Sequence, residues 1–188
     1  MADFNSKFTV LNVEEISCEF EVGNPLRDAM TLWKSWSGSN SAPTWQDIEL
    51  PAIPPVILPQ TLVVDVINGG EDYQYRFWGS DYTRNYGIDE TGLLLSESLG
   101  PGFIEASRNQ YALVTKSKKP CCFIATIIAP RSGIVQAKTN LRLPIMDEPD
   151  TVTKILTATM FHKATFEQSE KLRKAIGADK LHLKDFHK

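Results

Sequence analysis

The segment Thr61–Ile67 reads TLVVDVI, Asn68-Gly69-Gly70 follows it, and residues 73–78 resume the same apolar and aromatic chemistry. Branching at Cβ favours extended backbone, and an Asn-Gly pair supplies the positive φ that a tight turn needs. An antiparallel hairpin ending at Gly79 is therefore the most restrictive demand this chain makes, and the fold must be built around it.

Downstream, residues 80–86 predict a short helix closed by Gly87, and Asp89-Glu90-Thr91-Gly92 predicts a turn. Pro101-Gly102 opens a longer helix carrying Phe103, Ala106, Tyr111 and Val114, which must stop before Pro120. Residues 121–129, 134–145 and 151–162 predict three further strands, joined by Pro130-Arg131-Ser132-Gly133 and by a turn over 146–150.

Upstream, Asn24 suits a helix N-cap and Pro25 the first helical position, and Leu26, Ala29, Met30, Trp33 and Trp36 recur at helical spacing until Gly38. Prolines at 43, 51, 54, 55 and 59 exclude regular helix from the stretch that follows, whose Trp45, Ile48, Ile53 and Ile57 should pack it down as a wrapping loop. Four regions result: an extended arm over 1–23, the amphipathic helix and Pro-rich loop over 24–59, a core over 60–163, and a helical tail over 164–188.

A chain of 188 residues with 42% hydrophobic and 23% charged content suits one domain with terminal extensions. At this size roughly 70% of the unfolded surface is buried on folding, so neither a disulfide nor a structural metal is required. Cys18, Cys121 and Cys122 have no metal-ligand spacing and are expected as free thiols, with Cys121 and Cys122 on opposite faces of their strand. The net charge of −3 and the scattered basic residues argue against nucleic acid. No stretch approaches the roughly 20 apolar residues of a membrane span. The expected compartment is the cytoplasm.

The order of two strands, several short helices, one longer helix and three antiparallel strands resembles the PAS fold. Trp33 with Pro43 and Asp47 downstream, Ile53-Pro54, Leu58-Pro59, Tyr75-Arg76-Phe77-Trp78-Gly79-Ser80 and Gly87-Ile88-Asp89-Glu90-Thr91-Gly92 are similar to the single-domain PAS branch of proteobacteria, over residues 26–162. The arginine-rich patch common after the leading tryptophan is replaced here by Lys34-Ser35-Trp36-Ser37-Gly38. The resemblance implies an α+β fold: a five-stranded antiparallel sheet with short helices on one face, N- and C-terminal helical extensions, a central pocket, and dimerisation through the N-terminal helix. Trp33, Trp36 and Met30 are then the expected dimer contacts, since two tryptophans on one short helix must pack on the sheet or on a second copy.

Cofactor chemistry finds little support. The long helix holds no histidine for haem, the short helix after the hairpin holds no cysteine for flavin photochemistry, and His162 reads as a surface or satisfied histidine. No hydrolase elbow, zinc motif or phosphate loop occurs, so no catalytic residue, metal or cofactor is expected. Asp65 interrupts an apolar strand and reads as an outer-face residue.

The pocket expectation rests on strand parity. In residues 134–145 Gln136, Lys138, Asn140 and Arg142 share one face while Val135, Ala137, Thr139, Leu141 and Leu143 share the other, and the second set is expected inward. Ala137, Thr139 and Leu141 would join Tyr75, Phe77, Ile124, Thr126, Thr157 and Thr159 from the sheet and Tyr82, Tyr86, Phe103 and Tyr111 from the helices. These residues would line a small-molecule pocket or fill a solid core. Arg76 would pair with an outer-face carboxylate or anchor an anionic ligand. The functional expectation is a non-catalytic sensory or regulatory domain binding a small molecule or a signalling partner. Its rivals are a protein-interaction adaptor with a filled core and, more weakly, a small enzyme with a cone-shaped pocket.

Overall fold

The computed structural model describes residues 9–98, 100–128 and 135–162. Its strands are β1 (Thr9–Ile16), β2 (Thr61–Ile67), β3 (Asp72–Trp78), β4 (Cys121–Ile128), β5 (Val135–Ile145) and β6 (Lys154–His162), and its helices are α1 (Pro25–Ser37), α2 (Ser80–Tyr86) and α3 (Pro101–Ser117). The fold is α+β, with one open antiparallel sheet in the order β1-β4-β5-β6-β2-β3. The expected tail helix and the loop before β5 lie outside the described residues.

Local chemistry sets the helix ends. Leu26 N–H donates to Asn24 Oδ1 at 2.9 Å, Pro25 occupies the first turn, and Gly38 ends α1 at φ 56°. Gly87 at φ 88° closes α2 in the left-handed conformation, where a side chain would clash with its own backbone.

Two departures from the sequence reading concern the sheet. It has six strands rather than five, because part of the expected arm pairs with β4 from Val10↔Ile127 to Ile16↔Cys122. It is also covered on both faces. The apolar stripe of α1, Leu26, Ala29, Met30 and Trp33, packs with Ile53 and Ile57 of the Pro-rich loop on Val63, Cys122, Leu141, Leu143, Leu156 and Ala158. The opposite face, under α2 and α3, gathers Leu62, Val64, Tyr73, Tyr75, Trp78, Phe123, Ala125 and Ile155 with Tyr82, Tyr86, Phe103 and Tyr111.

Met30 and Trp33 are thus buried against the chain's own sheet, with the Trp33 indole donating to Pro144 O at 2.8 Å, and Trp36 is half-buried beside them. A dimer contact through Met30 and Trp33 would require this helix to leave the sheet. Among the described residues no helix is long and apolar enough to cross a membrane.

Candidate functional site

The face of β5 that turns toward α2 and α3 carries Lys138, Asn140 and Arg142, three residues in alternate positions and therefore on one side of the strand. The expected parity is reversed: this polar row is buried, and Leu141, Leu143 and Ile145 go to α1. The reason lies in what each layer offers. The α1 stripe has no hydroxyl or amide to give a polar partner and takes the apolar row, whereas α2 and α3 bring Tyr82, Tyr86, Tyr111 and Gln110 over the polar one.

These side chains form one network. Gln110 Oε1 accepts from Arg142 Nε at 2.9 Å and from Asn140 Nδ2 at 3.3 Å, and Arg142 Nη1 donates to Thr157 Oγ1 at 3.0 Å. Thr159 Oγ1 donates to Asn140 Oδ1 at 3.0 Å and lies 2.5 Å from the Tyr82 hydroxyl. Lys138 Nζ donates to the Tyr86 hydroxyl at 3.0 Å and stands 5.4–5.9 Å from the ring centres of Phe103, Tyr86 and Tyr82. The Arg142 guanidinium lies over Tyr111, 4.0 Å from its ring centre.

Both cations are deep: Lys138 is 6% and Arg142 3% exposed. No carboxylate among the described residues hydrogen-bonds or ion-pairs with either. Burial, with the Arg142 charge adding to it, pulls the Lys138 ammonium down to about 7. Burial also pushes the hydroxyls of Tyr75, Tyr82 and Tyr86 well above their usual range, so they remain neutral donors. Trp78 Nε1 is buried and makes no hydrogen bond. The Tyr75 hydroxyl approaches Ser98 and the Tyr73 hydroxyl Thr115 without closing a bond of ordinary geometry.

Beside this interior lies an open groove of about 650 Å³ between β1 and α3, with Val10, Val13, Leu113 and Phe123 in its wall and Gln110 at its inner end. Glu90, 2% exposed, accepts a hydrogen bond from Ser98 Oγ at the turn between α2 and α3. Among the described residues no group of three or more His, Cys, Asp and Glu side chains could hold a metal ion.

Comparison with family models, with curated proteins and with solved structures finds no match to this chain.

Of the residues expected to share a pocket, Tyr75, Tyr82, Tyr86, Phe103, Tyr111, Thr157 and Thr159 meet on the α2 and α3 face. Phe77, Ile124, Thr126, Ala137, Thr139 and Leu141 belong to the opposite face. Phe77 is displaced by a bulge: Val63 pairs with Phe77 but Val64 with Tyr75, leaving Arg76 as the extra residue, so Trp78 takes the place beside Tyr75 that parity assigns to Phe77. Of the two alternatives for Arg76, the structure shows the pairing with a carboxylate. Arg76 pairs with Asp65 at 2.9 Å near the Trp45 ring, on the outer side of the hairpin. Thr139 instead meets His162 Nε2 at 2.8 Å. Lys138, Asn140, Arg142, Gln110 and Trp78 are the residues that parity reasoning missed. The available signal was the strand's central position between two candidate covering layers, which leaves its polar row no route to water.

Proposed function

We infer that the chain is a PAS-type sensory or regulatory domain that binds a small molecule on the helix-covered face of its sheet and carries no catalytic activity of its own. The element order and the residues around Tyr75-Arg76-Phe77-Trp78-Gly79 support the PAS reading. The observation that carries the binding reading is the network on β5: polar residues buried in the middle of a sheet are costly, and here Lys138 and Arg142 are buried beneath the tyrosines of α2 and α3 while Trp78 Nε1 and Gln136 Oε1 make no hydrogen bond. The β5 strand lies at the centre of the sheet and α2 and α3 cover the site, so a ligand there would bias how these elements pack and thereby what the outer surface offers a partner.

Native mass spectrometry of the purified full chain tests this. The expected result is a mass above that of the polypeptide, lost on denaturation, from a non-covalently held small molecule. A bare polypeptide mass, together with no thermal response to a metabolite library, would remove the sensory reading.

The adaptor reading has its own support, since the aromatic rings of this interior stand only 4.8–6.2 Å apart and the Lys138 chain fills space among them. In that reading a partner would meet exposed apolar residues such as Val56 and Ile88.

A further inference from the structure

We propose that Cys18 and Cys122 are the two halves of a reversible disulfide, closed by peroxide and opened by a dithiol reductant, that fastens the segment after β1 to β4. This is independent of the ligand reading, because both thiols lie on the α1 face of the sheet rather than beneath α2 and α3.

Register brings the two together. Ile16, the last residue of β1, pairs with Cys122, and Ile16, Cys18 and Phe20 all pack against the apolar cluster that contains Cys122. The Cys18 thiol donates to Pro120 O at 3.6 Å, two residues before Cys122, and the Cys122 thiol hydrogen-bonds to Cys18. Cys121 is turned away. Alternation along β4 puts it in the cluster of the other face, where its sulfur meets Ser117 Oγ at 3.6 Å and Lys119 O at 3.5 Å. A disulfide needs Cα atoms within about 7 Å and sulfurs about 2 Å apart. β1 has ended before Cys18, so the connection to α1 can supply the remaining closure without disturbing a ladder bond.

The two thiols also divide the chemistry. Cys18 is half-buried and Cys122 fully buried, so peroxide reaches Cys18 first. The bond from Cys122 holds Cys18 below the ordinary thiol range, against burial and the Glu15 charge, and so favours its thiolate. In the first step the Cys18 thiolate attacks one peroxide oxygen. An S–O bond forms and the O–O bond breaks, and the departing hydroxide takes up the proton that Cys18 had released. The sulfur is oxidised by two electrons to a sulfenic acid and the peroxide is reduced. In the second step Cys122 attacks the Cys18 sulfur. The S–S bond forms and the S–O bond breaks, and the hydroxyl leaves as water with the proton from Cys122. Two thiols and one hydrogen peroxide become one disulfide and two waters.

The test treats reduced full-length protein, freed of reductant, with equimolar hydrogen peroxide. Free thiols are then counted in denaturant, and linked peptides are mapped without reduction. The wild type and Cys121→Ser are each expected to lose two thiols per chain, with Cys18 joined to Cys122, and to regain both in dithiothreitol. Cys18→Ser and Cys122→Ala are expected to form no intrachain bond, and Cys122→Ala to hold a sulfenic acid at Cys18 that dimedone traps. Oxidised Cys121→Ser is expected to melt above its reduced form, since the bond closes a loop of about 100 residues in the unfolded chain. The proposal is overturned if all three wild-type thiols survive, if Cys18 is joined to Cys121 instead, if the bond runs between two chains, or if the oxidised protein melts no higher than the reduced one. Should Cys122→Ala fail to fold, the wild-type map and Cys121→Ser decide, because both keep the two partners.

Discussion

The guanidinium carbon of Arg142 stands 4.0 Å from the centre of the Tyr111 ring, so a central-strand cation is stacked under the middle of α3. Tyr111→Phe keeps that ring and Tyr111→Leu does not. The leucine variant is expected to unfold with about 1–2 kcal/mol less stability than the phenylalanine variant, the worth of a desolvated cation–π contact. Urea titration of both proteins checks this, and equal midpoints with equal slopes would show that the stacking contributes nothing.

Lys138 makes stability depend on pH in a stated direction. Its ammonium falls from 10.5 to about 7 in the folded chain. Above pH 7 the unfolded chain keeps a proton that the folded chain has released, so raising the pH favours the folded state, while below pH 7 both forms are charged and the dependence vanishes. The neighbours facing this group are Tyr82 and Tyr86 from α2, Phe103 from α3 and Arg142 on its own strand, and the raised hydroxyls of Tyr82 and Tyr86 stay neutral in this window. Between pH 7 and 8.5 the unfolding free energy of the wild type is expected to rise by about 1–2 kcal/mol more than that of Lys138→Met. Chemical denaturation at the two pH values decides it.

Gly79 joins β3 to α2 and has no room for a side chain. A Cβ there would run into the carbonyl oxygen of Pro59 and lie 2.7 Å from that of Thr61, and both are backbone atoms that cannot rotate away. Gly79→Ala is expected to cost about 1–3 kcal/mol and to loosen the seating of Tyr82 and Tyr86. Denaturant midpoints together with near-ultraviolet dichroism of the tyrosines measure both effects, and an unchanged midpoint would contradict the contact.

Three free thiols sit in three environments. A hydrogen bond from Cys122 lowers Cys18 below the ordinary thiol range, whereas burial raises Cys121 and the bond to Cys18 raises Cys122. Cys18 is also the one that is not fully buried. Iodoacetamide at neutral pH is therefore expected to label Cys18 first, and peptide mapping that finds Cys121 or Cys122 modified earlier would refute the ordering.

Much of the fold is legible in the residues. The Asn68-Gly69-Gly70 turn, the Asn24 cap, the Gly87 stop and the proline before β4 each act over a few residues, and local chemistry decides them. The sixth strand is harder to see, because β1 shifts register between Val10 and Asn12 and so breaks its alternation. The site was half legible. Tyrosines on α2 and α3 announce a covered face, but which row of β5 lies beneath them depends on a contest between two covering layers, and parity alone cannot rank them. The bulge at Arg76, which exchanges Phe77 for Trp78, has no mark in the sequence beyond an arginine with a partner at Asp65.

The pairing of β1 with β4 reaches beyond the count of strands. Any shortened version of this chain that starts at α1 would lay bare the backbone donors and acceptors of Cys121–Ile128, a strand rich in isoleucine and without charge. Such a piece would be a template for its own neighbours, prone to exchange strands or to grow into fibrils. Residues 9–16 therefore serve as the sheet's hem, and keeping them is a condition for working with the domain as a solution species.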